Sequence, residues 1–319
     1  MEKSFRPRNR AGELLERIIR MKNKPLIPLI VLVLIAVFCG SGPAPQDSAY
    51  EETAVSFPSR GVEVPAVVTL PAAGEASQFV VLVHGHGGNK DENIGFPAIA
   101  RELAKRGIGS IRMDFPGCGE SGEEFAMNTQ SNMKANVLAA VDFVTDSYSP
   151  NPDAIGIFGY SMGGRIALEL IADRAYIFLG AALLAPAADT DDLKNLFGGE
   201  DGWEDLKETA NTSPEGYAPF TTIYGQEQQL SKEWFADLEK YPGNTLIDAA
   251  ANQYAGPSLV VYAVDDEAVS PSVSQTVAEK FGAQRVVIPE DGHSYGFYSD
   301  KTEILNMVAS AVADFFANL

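Results

Sequence analysis

Ala154-Ile155-Gly156-Ile157-Phe158-Gly159-Tyr160-Ser161-Met162-Gly163-Gly164-Arg165-Ile166-Ala167-Leu168 is the stretch from which the fold can be read. Ala154–Phe158 is a short apolar, β-branched run that predicts a strand, and Gly163–Ala172 has the apolar content of a buried helix. Between them stands Gly159-Tyr160-Ser161-Met162-Gly163, a G-x-S-x-G. The motif alone is weak. With a strand before it and a helix after it, it reads as a sharp strand-to-helix turn in which only small residues fit on either side of the serine. Such a turn projects the Ser161 oxygen at the head of a helix, where the first backbone N–H groups stabilise developing negative charge.

Working outward, the chain keeps alternating. Strands are predicted at Val62–Leu70, Phe79–Val83, Ile108–Met113, Ile177–Leu184, Leu259–Val264 and Arg285–Ile288. Helices are predicted at Ile94–Arg106, Met133–Val144, Val273–Phe281 and Ile304–Phe316. This alternation implies an α/β fold, with a mostly parallel central sheet and helices on both faces. One stretch breaks the rhythm. From Pro186 to Pro257 no alternation is visible, and the segment is acidic and rich in aromatics, among them Trp203, Tyr217, Phe220, Tyr224, Trp234, Phe235 and Tyr241. A structureless loop of this length inside a compact domain is improbable, so it reads as an inserted cap subdomain. Its position after a central strand sets it over the carboxyl edge of the sheet, where α/β proteins bind ligands. The expected organisation is an N-terminal segment 1–46, a first core part 47–186, a cap 187–256 and a second core part 257–319.

A serine alcohol is a poor nucleophile and needs a base and an oxyanion site. The chain has three histidines: His84 and His86 in His84-Gly85-His86-Gly87-Gly88, directly after the strand Phe79–Val83, and His293. The glycine turn suits backbone N–H groups brought close to a substrate, and His86 is expected to offer its main-chain amide together with that of Met162. Metal binding by His84 and His86 is disfavoured by the lack of a neighbouring cysteine or carboxylate cluster, and no cofactor is expected. As the lone histidine outside the glycine turn, His293 is the expected general base. The acid that orients it is expected at Asp266, after the strand Leu259–Val264, with Asp265 and Asp189 as the alternatives.

The chain order Ser161, Asp266, His293 is similar to that of the α/β-hydrolase superfamily, which residues from about 60 to 319 resemble. Asp114-Phe115-Pro116-Gly117-Cys118-Gly119-Glu120-Ser121 is similar to that superfamily's D-x-x-G-x-G-x-S turn, which the resemblance implies is structural. Val83-His84-Gly85, Leu183-Leu184-Ala185-Pro186-Ala187-Ala188 and Asp266-Glu267-Ala268-Val269-Ser270-Pro271 look most like the bacterial cinnamoyl/feruloyl esterases and the serine-aminopeptidase-like, lysophospholipase-like group. That group often has Gly-His-Ser-Gln-Gly where this chain has Gly-Tyr-Ser-Met-Gly. The expectation is a serine hydrolase that cleaves carboxylic esters of small molecules through an acyl-enzyme, with feruloyl-type esters one substrate class. Peptidase or amidase, lysophospholipase and thioesterase activities are the alternatives within the fold, and a non-catalytic binding protein is the alternative outside enzymes. Tyr160, Tyr295, Trp203 and Trp234 are expected either to line the substrate site or to pack, and the Met162 side chain to wall the acyl pocket.

Composition limits the rest. The chain of 319 residues is 45% apolar and carries a net charge of −19. It is a folded protein without the basic footprint that nucleic acid requires. Two cysteines exclude a disulfide framework. Residues 1–24 hold eight Lys/Arg against three Glu, and Pro25 to Gln46 carry no charge. Leu26–Phe38 is an apolar run of 13 residues interrupted by Pro28. It is short for a membrane span, which needs roughly 20, and resembles a secretory signal that begins at Met1 or Met21. Export is expected, either as a secreted protein or attached to the outer face of the cytoplasmic membrane through residues 25–44. Cys39 is a weak match to a lipoprotein site.

Overall fold

A computed structural model describes residues 49–222 and 225–319. In chain order the elements are β1 (Tyr50–Ser59), β2 (Val62–Pro71), β3 (Phe79–Val83), α1 (Gly95–Lys105), β4 (Gly109–Met113), α2 (Gln130–Tyr148), β5 (Ile155–Tyr160), α3 (Met162–Ala172) and β6 (Ala181–Leu184). After these come α4 (Thr190–Lys194), α5 (Gly199–Thr212), β7 (Tyr217–Thr221), β8 (Glu227–Ser231), α6 (Lys232–Glu239) and α7 (Thr245–Ala251). The chain closes with β9 (Ser258–Ala263), α8 (Pro271–Phe281), β10 (Gln284–Ile288) and α9 (Thr302–Ala317).

Eight strands form one sheet in the order β1-β2-β4-β3-β5-β6-β9-β10. The strands from β4 to β10 run parallel, and β1 and β2 add an antiparallel edge. Every residue of β3, β5, β6 and β9 is buried. That is the signature of strands covered on both sides, and it explains their unbroken apolar sequence. The alternation along β5 shows which helices cover which face. Phe158 packs edge-on against Phe96 of α1, and a side chain at Gly156 would overlap Phe316 of α9. Gly159 points the other way, against the backbone of α3. The doubly covered, mostly parallel sheet is the architecture expected from the strand–helix rhythm.

Two expectations are corrected. The strand predicted at Ile177–Leu184 begins only at Ala181, because Ile177 lies in the approach loop and is 83% exposed. The first strand, β1, has no counterpart among the strands predicted from sequence. It is an edge strand whose first residues, Glu51, Glu52 and Thr53, face solvent, so apolar periodicity does not mark it. It pairs with β2 through the tight turn Arg60-Gly61, both residues at positive φ, the geometry of a two-residue hairpin loop.

The stretch without alternation between β6 and β9 has structure of its own. It consists of α4 to α7 and the separate antiparallel hairpin β7–β8. Its aromatics form a local core: Trp203 lies 5.3 Å from Trp234 between ring centres, and Trp234 lies 4.9 Å from Phe235 and 5.1 Å from Phe197. Buried Arg165 on α3 fixes this insertion to the sheet domain by donating to the carbonyls of Ala187, at its start, and Leu238, on α6. Cys118 is buried, its thiol pushed up to about 12 by burial and by the carboxylates of Asp114 and Glu92. No helix among the described residues is long and apolar enough to cross a membrane. The basic segment, the apolar run Leu26–Phe38 and Cys39 lie outside the described residues.

Candidate active site

Ser161 sits between the end of β5 and the first residue of α3, with φ 55° and ψ −117°. A β-carbon in this region of backbone space costs on the order of 1–3 kcal/mol, and the surroundings enforce it. The Ser161 N–H donates to Leu184 O, and its carbonyl accepts from Gly164, Arg165 and Ala187. A side chain at Gly163 would overlap the Val83 carbonyl, and one at Gly159 would overlap the Gly163 carbonyl. The flanking glycines of the G-x-S-x-G are therefore packing requirements of the turn.

The segment after β10 brings His293 to this turn. His293 Nε2 lies 2.9 Å from Ser161 Oγ, and Nδ1 lies 2.8 Å from Asp266 Oδ2. Asp266 is 5% exposed. Its Oδ1 accepts the amides of Ala268 and Val269, and its Oδ2 also accepts the Tyr295 hydroxyl at 2.7 Å. Burial opposes its ionisation, but these donors together with His293 outweigh it, and the carboxyl titrates below its ordinary range. The anion then holds His293 in the tautomer with the proton on Nδ1, leaving Nε2 free to accept from the serine. Of the three acids weighed from sequence, Asp266 alone contacts His293. Asp265 accepts the amides of Asp291 and Gly292 and so shapes the turn before His293. Asp189 caps α4 by accepting from Asp191 and Asp192.

Tyr160 and Tyr295 are both packed and supportive. Tyr160, buried before the serine, stacks on the His293 ring at 5.0 Å and donates its hydroxyl to the His293 carbonyl at 2.5 Å. Tyr295 is fully buried; its hydroxyl accepts from the Ala263 amide and donates to Asp266. Neither has the exposure of a residue lining an open pocket.

The glycine turn after β3 passes close to the serine. A side chain at Gly85 would stand 3.3 Å from Ser161 Cβ. Among the described residues, the amides of His86 and Met162 have no acceptor within the chain. His84 is buried, accepting the Phe115 amide on Nε2, which leaves Nδ1 to donate to the Gly85 carbonyl; burial pulls its pKa down to about 4. His86 Nε2 meets Gln228 Oε1 at 2.8 Å, and burial likewise lowers its pKa to about 4. The two rings thus have separate hydrogen-bond partners. The Asp114–Ser121 turn has the structural character its resemblance implies: Asp114 accepts the amides of Lys90 and Glu120 and pairs with Lys90 Nζ at 2.9 Å. Met162 is buried, with Gln130 Nε2 3.6 Å from its sulfur.

The insertion reaches the site through residues that sequence reasoning did not single out. Gln228 of β8 holds His86, and Gln226 donates to the Gly87 carbonyl. Asp192 of α4 accepts both the amide and the hydroxyl of Ser270, closing the loop that starts at Asp266. Trp203 is wholly buried in the insertion and donates Nε1 to Glu239, so it is a packing residue. Trp234 is also buried there, with its ring 5.7 Å from that of His86.

A model of the alpha/beta hydrolase family matches residues 80–305. In sequence the chain is similar to the esterase candidate NocK of Nocardia uniformis subsp. tsuyamanensis, at 24% identity over 197 residues, or 61% of the chain and 52% of the relative. It is also similar to the dihydrolipoyllysine-residue acetyltransferase component of the acetoin cleaving system of Cupriavidus necator, at 24% over 201 residues, 62% of the chain and 48% of the relative. The chain thus spans about half the length of the curated relatives it matches. In fold it is similar to Est1E from Butyrivibrio proteoclasticus, solved with ferulic acid bound: TM-score 0.64, 23% identity, 83% of this chain and 98% of that one. The esterase domain of a Rhodothermus marinus protein superposes with a TM-score of 0.62 at 17% identity, over 84% of this chain and 98% of the other.

Proposed function

The chain belongs to the alpha/beta hydrolase family, and from that premise we propose that it is a serine hydrolase cleaving carboxylic esters of small molecules, with Ser161, His293 and Asp266 as its catalytic triad. The observation that carries the reading is His293 bridging Ser161 Oγ and the Asp266 carboxylate. Ser161 Oγ adds to the ester carbonyl carbon as His293 Nε2 takes its proton. The carbonyl oxygen becomes an anion that the amides of His86 and Met162 stabilise. As the tetrahedral species collapses, His293 returns the proton to the departing alcohol and an acyl-serine remains. Water, deprotonated by His293, then adds to the acyl carbon, and Ser161 leaves with the proton. Asp266 stays ionised throughout and stabilises the imidazolium.

An aromatic acyl group of the feruloyl or cinnamoyl kind is the substrate class we favour. Its support is the fold likeness to Est1E, whose structure holds ferulic acid. The net charge of −19 opposes anionic substrates, and a neutral ester largely escapes that repulsion. We further propose that residues 1–46 direct export, leaving the hydrolase outside the cytoplasmic membrane. A panel of feruloyl esters, short activated esters, thioesters and aminoacyl amides, run with phosphonate labelling of Ser161, tests the reading. Turnover of esters with one labelled serine is expected. No labelling and no turnover of any class would leave a binding protein of this fold.

A further inference from the structure

Among the described residues the mechanism leaves three buried acids unused: Asp114 and Glu169 are paired with Lys90 and Arg165, and Glu92 is paired with no cation. Glu92 lies just beyond the glycine turn and is 1% exposed. Its φ of 40° and the 57° of Asn93 give two successive non-glycine residues in the left-handed region, which asparagine tolerates and which costs energy for a glutamate. The backbone bend folds the carboxyl group back under the turn. Oε1 accepts the Gly85 amide at 2.6 Å, and Oε2 accepts the Tyr298 hydroxyl. A side chain at Gly88 would overlap this carboxyl group, so Gly88 is a glycine because Glu92 occupies that space. Asn93 Nδ2 donates to the Phe297 carbonyl at 2.6 Å, a second tie to the same segment. No lysine or arginine among the described residues pairs with Glu92.

We propose that Glu92 is a positioning residue for the oxyanion side of the ester reaction: by holding the Gly85 amide it aims the adjoining His86 amide at the carbonyl oxygen, and through Tyr298 it locks that turn to the segment carrying His293. The inference rests on the serine-hydrolase reading above. Its physical basis is adjacency. Glu92 fixes the peptide plane before Gly85, and the next plane, which carries the His86 N–H, is held by its Gly85 carbonyl accepting from His84 Nδ1 at 2.8 Å and from the Gly88 amide at 3.2 Å. Donors held on both planes are pre-oriented, which is what stabilises an oxyanion without reorganisation. A buried carboxyl with no cation also remains protonated longer than usual. Burial raises its pKa to about 7, against the pull of the Tyr298 hydroxyl, the Gly85 amide and His293. The ionisable groups around it are Tyr298 and His293 from the segment after β10, Tyr160 from β5, and Cys118 from the turn after β4. Above that pH an anion stands beside the turn that must receive another, and like charges disfavour the transition state.

The test compares kcat, KM and their pH profiles for the full-length protein, Glu92→Leu, Glu92→Gln and Tyr298→Phe. Glu92→Leu is expected to lower kcat about tenfold to a hundredfold with KM nearly unchanged, a fraction of what loss of an oxyanion donor costs. Glu92→Gln keeps an uncharged acceptor for Gly85, so kcat should largely recover. Relative to the wild type, the kcat of that variant should rise as pH increases through about 7, the ratio cancelling any pH dependence that the two enzymes share. Tyr298→Phe keeps the carboxyl group and loses the tie, and serves if Glu92→Leu does not fold; a smaller fall in kcat at constant KM is expected. Unchanged kcat in Glu92→Leu, or in Tyr298→Phe where the former does not fold, overturns the inference. So does a Glu92→Gln variant as impaired as Glu92→Leu. Phosphonate labelling of wild-type Ser161 separates the two levels: a labelled, active wild type with indifferent Glu92 variants sinks this inference alone, whereas an unlabelled wild type sinks the hydrolase reading beneath it.

Discussion

At the scale of single residues the site is a chain of hydrogen bonds with no spare acceptor on Asp266. Ser161→Ala and His293→Ala are expected to cost about 10³–10⁶ in kcat. Asp266→Asn should cost somewhat less, and Asp265→Asn should stay within about tenfold, because Asp265 shapes a turn and does not touch the imidazole. Steady-state kinetics on one activated ester decides the order; collapse in Asp265→Asn with turnover retained in Asp266→Asn would transfer the acid by one position. Glu92 adds a pH signature to stability. Its folded pKa of about 7 lies above the ordinary 4.5, so between those values the unfolded chain has released a proton that the folded chain keeps. Stability must then fall as pH rises through that window. Glu92→Gln removes that contribution, so its melting temperature should gain on the wild type between acidic and mildly alkaline pH. The serine, the lone outlying histidine and the acid after the penultimate strand were legible because chemistry restricts their residue types. Glu92 was not, since a glutamate in a polar turn gives no periodic signal, and Tyr295 was read as a residue that lines the site or packs, without its hold on Asp266. Their work depends on backbone bends that only the folded chain displays.

At the scale of elements the insertion is the informative part. Its aromatics and its position after a central strand were readable in sequence, whereas its internal helices and hairpin were not. Short helices such as α4 and α7 hold too few residues to display a period, β7 carries a proline, and β8 is largely polar. The sequence suggests a cover over the site entrance, and on that basis small activated acetates should survive its removal better than bulky esters. The contacts argue for more. Gln228 holds His86, Gln226 holds Gly87 and Asp192 holds Ser270. Replacing residues 187–256 by a Gly-Ser linker is therefore expected to abolish turnover of both ester sizes alike, measured side by side on a soluble variant. Preserved acetate turnover would return the insertion to a covering role. Arg165 makes a related point about stability. It is wholly buried, pairs with Glu169 at 3.0 Å and holds two carbonyls of the insertion. Arg165→Leu would strand Glu169 with Lys134 at 3.3 Å as its remaining cation and should cost about 3–5 kcal/mol in denaturant unfolding.

At the scale of the whole molecule, charge and location are linked. The chain is acidic overall, yet its first 24 residues are basic and are succeeded by an uncharged apolar run. On the export proposal, the positive-inside rule keeps those basic residues in the cytoplasm while the hydrolase domain crosses. A C-terminally tagged protein is expected outside the cytoplasmic membrane, accessible to added protease in fractionated cells. A full-length cytosolic product with residues 1–46 intact would sink the export proposal.

The closed environment of Cys118 has a practical side. A thiol held near 12 and shielded from solvent is almost entirely unionised at neutral pH, and maleimides and iodoacetamides react with thiolates. With Cys39→Ser, the native fold would offer such reagents no competing target. A single cysteine introduced at Ile177, which is 83% exposed and lies at the end of the sheet opposite Ser161, would then take one fluorophore or one surface linker. The molecule could be immobilised or tracked in a uniform orientation, its reacting face turned outward.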